Sequence, residues 1–441
     1  MTERIALPDG AIGGEAADRR KARRAAIAGG VGTLIEYYDF SLYGYLAVVM
    51  APAFFPGKNP TTALLSALAV FGTAYLMRPL GGIVFGHIGD RLGRKTALIA
   101  TLVCMGAGSV AMGFLPTYAQ AGIWATVLLV AVRMIQGFSA GGEVGGSATF
   151  ISESAPPRLR ATYGAFTPLG STGGFALAAA VAGTVSALTS DAQMESWGWR
   201  IPFLLALPLT LVCLWARTRV EDTRNAESSG GGSESGNHPV VAVFRRQPLA
   251  LLQATGISLA SNGTAYVGLT YMSIHLTKSL GYDRTSVYWV ATAVIAVAAV
   301  GMLLGGMLAD RIGRVRFAAI GMAGFAIVTY PAMAVMHLNL WIAAIAYLLI
   351  MVNTIGTQVG TYTLLPRLFD GEHRFTGVAM GFNLGVVIAG GTAPFVAVWL
   401  IERTGNVLAP AFFVMTAASI GLLALASVSR RSRIAGQALD R

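Results

Sequence analysis

The sequence predicts an all-α membrane protein of twelve transmembrane helices, arranged as two pseudo-symmetric bundles of six. Three observations carry this. Of 441 residues, 54% are hydrophobic and only 12% are charged, against about 25% charged in soluble chains. The apolar residues gather into runs near the roughly 20-residue length that a bilayer core demands. One polar motif also occurs twice at half-chain spacing, Gly86-His-Ile-Gly-Asp90-Arg91-Leu-Gly93-Arg94 and Gly306-Met-Leu-Ala-Asp310-Arg311-Ile-Gly313-Arg314. Each copy follows an apolar run and fits Gly-x-x-x-Asp-Arg-x-Gly-Arg, so the architecture is duplicated.

The first six runs centre near Glu36, Gly72, Gly106, Ile135, Gly173 and Ala206. The second six centre near Asn262, Ala296, Phe325, Leu349, Val387 and Thr416. Turn-forming pairs separate them, among them Pro56-Gly57, Pro116-Thr117, Gly281-Tyr282 and Gly405-Asn406. The one long soluble segment holds Ser228-Ser-Gly-Gly-Gly-Ser-Glu-Ser-Gly236, a flexible linker by composition. The expected organisation is a tail (1–24), a first bundle (25–219), a linker (220–247), a second bundle (248–428) and a tail (429–441). Arg160-Ala-Thr162 and Arg374-Phe-Thr376, after helices 4 and 10, repeat the duplication.

The formal charge of +11 does not indicate nucleic acid, because the basic residues cluster between apolar runs. Only Lys58, Arg200, Lys278, Arg284 and Arg403 fall in the gaps on one side; the others, apart from Arg78 and Arg133 within helices, fall on the opposite side. The positive-inside rule then puts both termini in the cytoplasm of a multi-pass cell-membrane protein, with Trp197 and Trp199 at the outer interface. The basic N-terminal residues show no signal-peptide pattern. Cys104 and Cys213 lie within apolar runs and suggest buried thiols. No His, Cys or carboxylate grouping has metal-ligand spacing, and no phosphate-cradling loop is present. No cofactor, metal or ATP is expected; the partners are lipid, protons and a small molecule, and the chain is expected to act as a monomer.

Several stretches resemble the major facilitator superfamily, and within it the metabolite:proton symporter branch. These are the twin motif, Ile35-Glu36-Tyr37-Tyr38-Asp39-Phe40 with Tyr43-Gly44, Arg78-Pro79-Leu80-Gly81-Gly82, Arg133-Met-Ile-Gln136-Gly137-Phe-Ser-Ala-Gly-Gly-Glu143, and Trp197-Gly-Trp-Arg200-Ile-Pro202-Phe203. They cover most of the first half; the second half matches mainly through its motif copy. The resemblance implies alternating access and proton-driven uptake of organic acids or of proline- and betaine-type osmolytes, and no enzymatic activity. One departure stands out. Glu153 precedes Arg160 by seven residues, whereas the matching place before Arg374 holds Arg367 and not the family's usual Glu.

Charges within spans are costly, by about 2.5–3.5 kcal/mol on insertion scales, and mark internal cavities. At 1.5 Å per residue, Asp39 lies roughly 22 Å from the inner edge, with Glu36 about one turn lower, Arg78 roughly 18 Å from the inner side, and Arg133 roughly 17 Å from the outer side. All four converge near the midplane. Glu36 and Asp39 share a helix face, and close carboxylates bind one proton more tightly. Asp39 is the expected proton carrier, with Glu36 its partner and Arg133 the neutralising charge; the alternative is a permanent ion pair between helices 1 and 4. Arg78 stays protonated and presents a planar fork that suits a carboxylate; the alternative is carbonyl capping before Pro79.

Tyr43, Arg133, Gln136, Asn262, Tyr266, Asn353 and Gln358 are further candidate substrate contacts, with plain helix–helix contacts as the alternative. Asp90, Arg91, Arg94 and Glu153, with Asp310, Arg311 and Arg314, are expected to form a cytoplasmic gate. Glu143 could pair with a basic loop residue or pass protons inward, and His275 reads as an interfacial residue. The leading expectation is symport of a small organic anion, with a zwitterionic osmolyte as the alternative. Drug antiport is disfavoured because helix 5 reads Thr167-Pro168-Leu-Gly170-Ser-Thr-Gly173-Gly174 and not Gly-Pro-x-x-Gly-Gly; a non-transporting scaffold is disfavoured by the midplane charges.

Overall fold

The computed structural model describes residues 9–57, 59–92, 94–141, 159–219, 239–370 and 374–434. Among these residues all regular structure is helical. The spans are α1 (Asp9–Phe54), α2 (Pro60–Leu92), α3 (Arg94–Gly113), α4 (Ile123–Ala140), α5 (Phe166–Leu188) and α6 (Arg200–Leu204, continued by Ala206–Arg219). In the second half they are α7 (Pro248–Tyr266, prolonged to Ser279), α8 (Arg284–Ile312), α9 (Arg314–Val335) and α10 (Leu340–Leu364). They end with α11 (Arg374–Gly385, running through Val386–Gly390 to Ala393–Thr404) and α12 (Ala409–Ile434). These form the expected twelve-helix fold of two six-helix bundles.

Eight of these helices are long and apolar enough to cross a bilayer unaided, and α6 with the bent segment before it makes a ninth. The others are α1, α3 and α7. For α1 and α7 the cause of the low hydropathy is visible: almost every residue from Ile35 to Ala51, and every residue from Ala260 to Leu276, is buried. These two helices face protein and not lipid, so they tolerate Glu36, Asp39, Asn262 and a run of hydroxyls.

Helix ends follow local chemistry. Asp283 caps α8 by accepting from the Ser286 N–H at 2.8 Å, and that bond holds its carboxyl below the usual carboxylate range. Asn339 caps α10 through the Ile342 N–H at 2.9 Å. In the second motif copy Gly313 adopts φ 95° between α8 and α9, a conformation that disfavours side chains.

Small residues set how closely the helices approach. A Cβ on Gly137 would lie 1.9 Å from the Ala74 carbonyl, one on Gly141 1.9 Å from the Arg78 carbonyl, and one on Gly81 1.7 Å from the Phe138 carbonyl. The α2 and α4 backbones are therefore in direct contact, and Arg78 and Arg133 are held side by side. Gly170 and Gly174 do the same for α5 on α1, where a Cβ would meet the Gly30 carbonyl at 2.2 Å and the Leu34 carbonyl at 2.5 Å.

The halves meet along α5 and α8 and around α1 and α7. Tyr45 donates to the Leu269 carbonyl at 2.6 Å, and Tyr288 donates to the Tyr45 carbonyl at 2.8 Å. Near the end opposite the twin motif, Ser186 bonds Thr285 at 2.8 Å and Arg284 pairs with Asp191.

Gly137→Val tests the α2–α4 approach. The added side chain must separate two backbones, and overpacking of this kind costs about 1–3 kcal/mol. A lowered thermal midpoint of the purified protein in detergent is expected; an unchanged midpoint would contradict the close approach.

Candidate functional site

The four predicted midplane charges come together. Arg78 and Arg133 are fully buried, Asp39 is 1% exposed and Glu36 4%. Arg78 Nη2 lies 4.0 Å from Glu36 Oε1. Phe40 links the two guanidiniums: its ring centroid is 4.6 Å from Arg78 Cζ and 4.7 Å from Arg133 Cζ. Arg78 also approaches the rings of Tyr75 (4.8 Å) and Tyr37 (5.7 Å); Arg133 approaches Tyr43 (4.5 Å) and Phe71 (5.6 Å). Such contacts stabilise buried cations by about 2 kcal/mol each when desolvated.

Hydrogen bonding separates the two arginines. Arg133 Nη1 donates to Gln136 Oε1 at 3.0 Å, and Gln136 Nε2 donates to Ser109 Oγ at 3.0 Å. Ser109 and Arg133 both face the Asp39 carboxylate. Arg133 is thus connected towards Asp39 through two neutral side chains. Arg78 differs: Nε, Nη1 and Nη2 meet no hydrogen-bond acceptor among the described residues. Buried donors are almost always paired, so a buried guanidinium in this state points to an anionic group from outside the chain.

Rings from both halves surround that guanidinium. Tyr75 packs edge-on against Tyr266 (5.5 Å), Phe175 against Tyr266 (5.6 Å) and Phe40 against Tyr75 (4.8 Å), and Tyr37 lies tilted against Phe175 (6.0 Å). Tyr362 lies tilted against Phe382 at 5.4 Å and faces Tyr37 and Tyr266. Of these rings only Tyr266 was singled out by the sequence. The available signal for the others was their midplane position, away from the interfaces where Tyr usually collects.

The remaining candidates divide. Gln136 belongs to the Arg133 network, and Gln358 Nε2 reaches the Ser261 carbonyl at 3.4 Å, linking α10 to α7. Tyr43 lies under Arg133, but its hydroxyl donates to the Ala67 carbonyl at 3.0 Å. Asn262 is buried and donates to Ser258 O at 2.9 Å on its own helix. Asn353 is a correction: it donates to Leu349 O at 2.8 Å and lies where a Cβ on Gly324 of α9 would meet it, away from the chamber. Two interfacial expectations also fail. His275 is fully buried, with Nδ1 3.2 Å from the Tyr271 hydroxyl. Trp199 is fully buried against Phe54 and Phe203, whereas Trp197 is 46% exposed.

The predicted gate is partly visible. Asp310 accepts from the Ala161 N–H (3.0 Å), the Thr162 N–H (2.9 Å) and the Thr162 hydroxyl (2.8 Å). It thereby caps the short helix Arg160–Gly164 that leads into α5, across the boundary between halves. Arg314 lies 3.6 Å from Asp310. Arg91 and Arg311 are exposed, because one residue beyond the Asp the helix has turned by about 100°; they do not close the gate. Glu143 and Glu153, and the side chains of Asp90 and Arg94, lie outside the described residues. A recess of about 970 Å³ is at the opposite end, remote from these charges; its Arg200 already donates to the Ser196 and Leu115 carbonyls.

Comparison with known proteins agrees with this architecture. Residues 25–225 match the family model described as Sugar (and other) transporter, and residues 254–437 match Major Facilitator Superfamily. The chain is 34% identical over 420 residues to the proline/betaine transporter of Escherichia coli K12, covering 92% of this chain and 83% of that one. It is 36% identical over 436 residues to the glycine betaine/proline/ectoine/pipecolic acid transporter OusA of Dickeya dadantii, covering 95% and 85%. Among solved structures, the proton:xylose symporter XylE bound to 6-bromo-6-deoxy-D-glucose superposes with a TM-score of 0.75 at 17% identity, covering 94% of this chain and 96% of that one. That likeness establishes the fold.

Asp310→Ala leaves the Ala161 and Thr162 N–H groups without their acceptor, at a cost of about 1–3 kcal/mol. The variant is expected to expose a cysteine placed at Thr162 to a thiol reagent faster than the parent does. Equal labelling rates would remove Asp310 from the gate.

Proposed function

Because the chain belongs to the major facilitator superfamily and is a multi-pass membrane carrier, not an enzyme, we propose that it takes up a zwitterionic osmolyte of the proline or betaine type together with protons. The observation that carries this reading is the Arg78 guanidinium, buried without acceptors inside a cage of aromatic rings. The substrate carboxylate takes the Arg78 fork. Its ammonium, two covalent bonds beyond the carboxyl carbon in a molecule of this type, lies against Tyr75, Tyr266 and Phe175, since aromatic cages favour quaternary and substituted ammonium groups.

A simple organic anion, the first expectation, would satisfy Arg78 but make no use of the Tyr266 and Phe175 rings beyond it. The curated relatives, named for proline, betaine and ectoine, support the zwitterion instead. Asp39 carries the proton, because Glu36 is paired with Arg78 whereas Asp39 keeps one buried oxygen without a hydrogen-bond partner among the described residues and faces Arg133. Gln136 and Ser109 relay Asp39's protonation to Arg133, and Phe40 places Arg133 and Arg78 on one ring. The positive-inside distribution puts the motif end in the cytoplasm. Residues 25–219 and 248–428 act as the two moving units of a monomer, joined by 220–247, with Asp310 and Arg314 in the inner gate.

Arg78→Lys replaces a fork with a point charge, and substrate affinity should fall at least about tenfold, or about 1.4 kcal/mol; unchanged affinity assigns Arg78 to helix capping. Asp39→Asn should retain exchange of labelled glycine betaine across proteoliposomes yet lose accumulation driven by an imposed pH gradient. Wild-type accumulation would remove Asp39 from coupling. Tyr266→Ala should weaken glycine betaine by about 0.5–2 kcal/mol, and Tyr266→Phe should restore most of it; equal losses in both would shift the role from the ring to the hydroxyl.

A further inference from the structure

The acid pair on α1 has two sides. Tyr37 and Phe40 turn towards the ring-lined chamber. At about 100° per residue, Ile35 and Asp39 turn the other way, towards α3, and Glu36 stands between. Ile35 packs there on Leu102 and Cys213. On that second side lies a small cavity of about 10 Å³, walled by Glu36 and Asp39 from α1, Thr101 and Met105 from α3, and Ser139 from α4. This is about the volume one water needs, and a water also needs two to four polar partners. Two carboxylates and two hydroxyl-bearing residues supply them. Ser139 Oγ donates to the Thr101 carbonyl, which pins α3 to α4 beside the cavity. Asp39 Oδ1 is buried without a hydrogen-bond partner among the described residues.

We infer that this cavity is a station on a proton path running between α1, α3 and α4 to the motif end, separate from the route of the substrate. The inference rests on the proton-coupled reading above. Thr101 lies seven residues into α3, roughly 10 Å from the motif end. In the transfer step a proton leaves the Asp39 carboxyl for the water oxygen, and that water gives up a proton towards the motif end; no other bond changes. The carboxylate left behind faces Arg133 from α4 and Ser109 from α3. The other charged and titratable groups around it are Glu36 and Tyr38 on α1, Arg78 of α2 beyond Glu36, and Cys213 of α6 beyond Ile35. Glu36 touches both compartments: it lines the cavity and stands 4.0 Å from Arg78. The proton route and the substrate route therefore meet at one side chain, and a proton can be released without crossing the aromatic cage.

The test uses the full-length protein in proteoliposomes, with radiolabelled glycine betaine and an entrapped pH dye. Thr101→Leu fills the cavity; Thr101→Val keeps its size and removes a hydroxyl. Net uptake driven by a pH gradient, and its proton flux, should fall about tenfold or more in Thr101→Leu and by less in Thr101→Val, while glycine betaine exchange without a gradient is retained. Undiminished net uptake in Thr101→Leu overturns the inference, as does an equal loss of both rates. If Thr101→Leu fails to fold, Thr101→Val decides: an unchanged ratio of net uptake to exchange overturns the inference. Wild-type glycine betaine transport without proton flux defeats the underlying reading instead, and that result needs no variant.

Discussion

Two guanidiniums buried at mid-membrane depth are the constraint on which this molecule depends. Neither can shed its proton, so each must find compensation inside the protein. Arg133 finds it in Gln136, in the Ser109–Asp39 side of the bundle, and in the faces of Phe40 and Tyr43. Arg78 finds it in Glu36 and three rings. This arrangement needs α1, α2 and α4 within side-chain reach of one another. The glycines of α2 and α4 provide that reach by bringing backbone against backbone. The glycine-rich composition and the charged midplane are two aspects of one requirement.

The halves have unequal parts in the chamber. The first contributes the described midplane charges, Glu36, Asp39, Arg78 and Arg133. The second contributes rings and neutral polar groups: Tyr266, Tyr362, Gln358 and Asn262. In the proposed reading a charged substrate is held by one half and covered by the other. Separation of the halves breaks ring contacts such as Tyr75–Tyr266 and Phe175–Tyr266, each worth about 0.5–1.5 kcal/mol, and leaves the midplane pair Glu36–Arg78, which lies within the first half, intact. A carrier that must open repeatedly is better served by weak, neutral contacts across its moving interface than by buried salt bridges, whose rupture would strand charge in a low dielectric.

That division also explains what the sequence made legible. Charges in apolar runs are conspicuous, so Glu36, Asp39, Arg78 and Arg133 were recognisable from spacing alone, and the twin motif exposed the duplication. Rings in apolar runs are inconspicuous, because Tyr75 or Phe175 would look the same in any packed core; only the fold shows that they enclose Arg78. Asn353 misled for the converse reason, since a polar residue in a span can satisfy itself on its own helix carbonyls. Trp199 and His275 show that closeness to a helix end does not decide burial. The sequence spoke for an anion because Arg78 is visible and the cage is not.

The motif end carries a further asymmetry that the duplication alone would not produce. Asp310 sits among Arg160, Arg314, Arg367 and Arg374, all near enough to interact electrostatically. Arg367 occupies the position where the family usually places an acid, so the charge at this corner is reversed. With basic residues crowded on both sides of the boundary, the halves repel one another there, and Asp310 counters the repulsion by accepting three hydrogen bonds from the other half. The described contact between the halves at the motif end is thus concentrated on one carboxylate within a repulsive setting. Such a contact releases over a short displacement, because a hydrogen-bonded cap is lost within about an ångström while the repulsion persists over a screening length of about 8–10 Å.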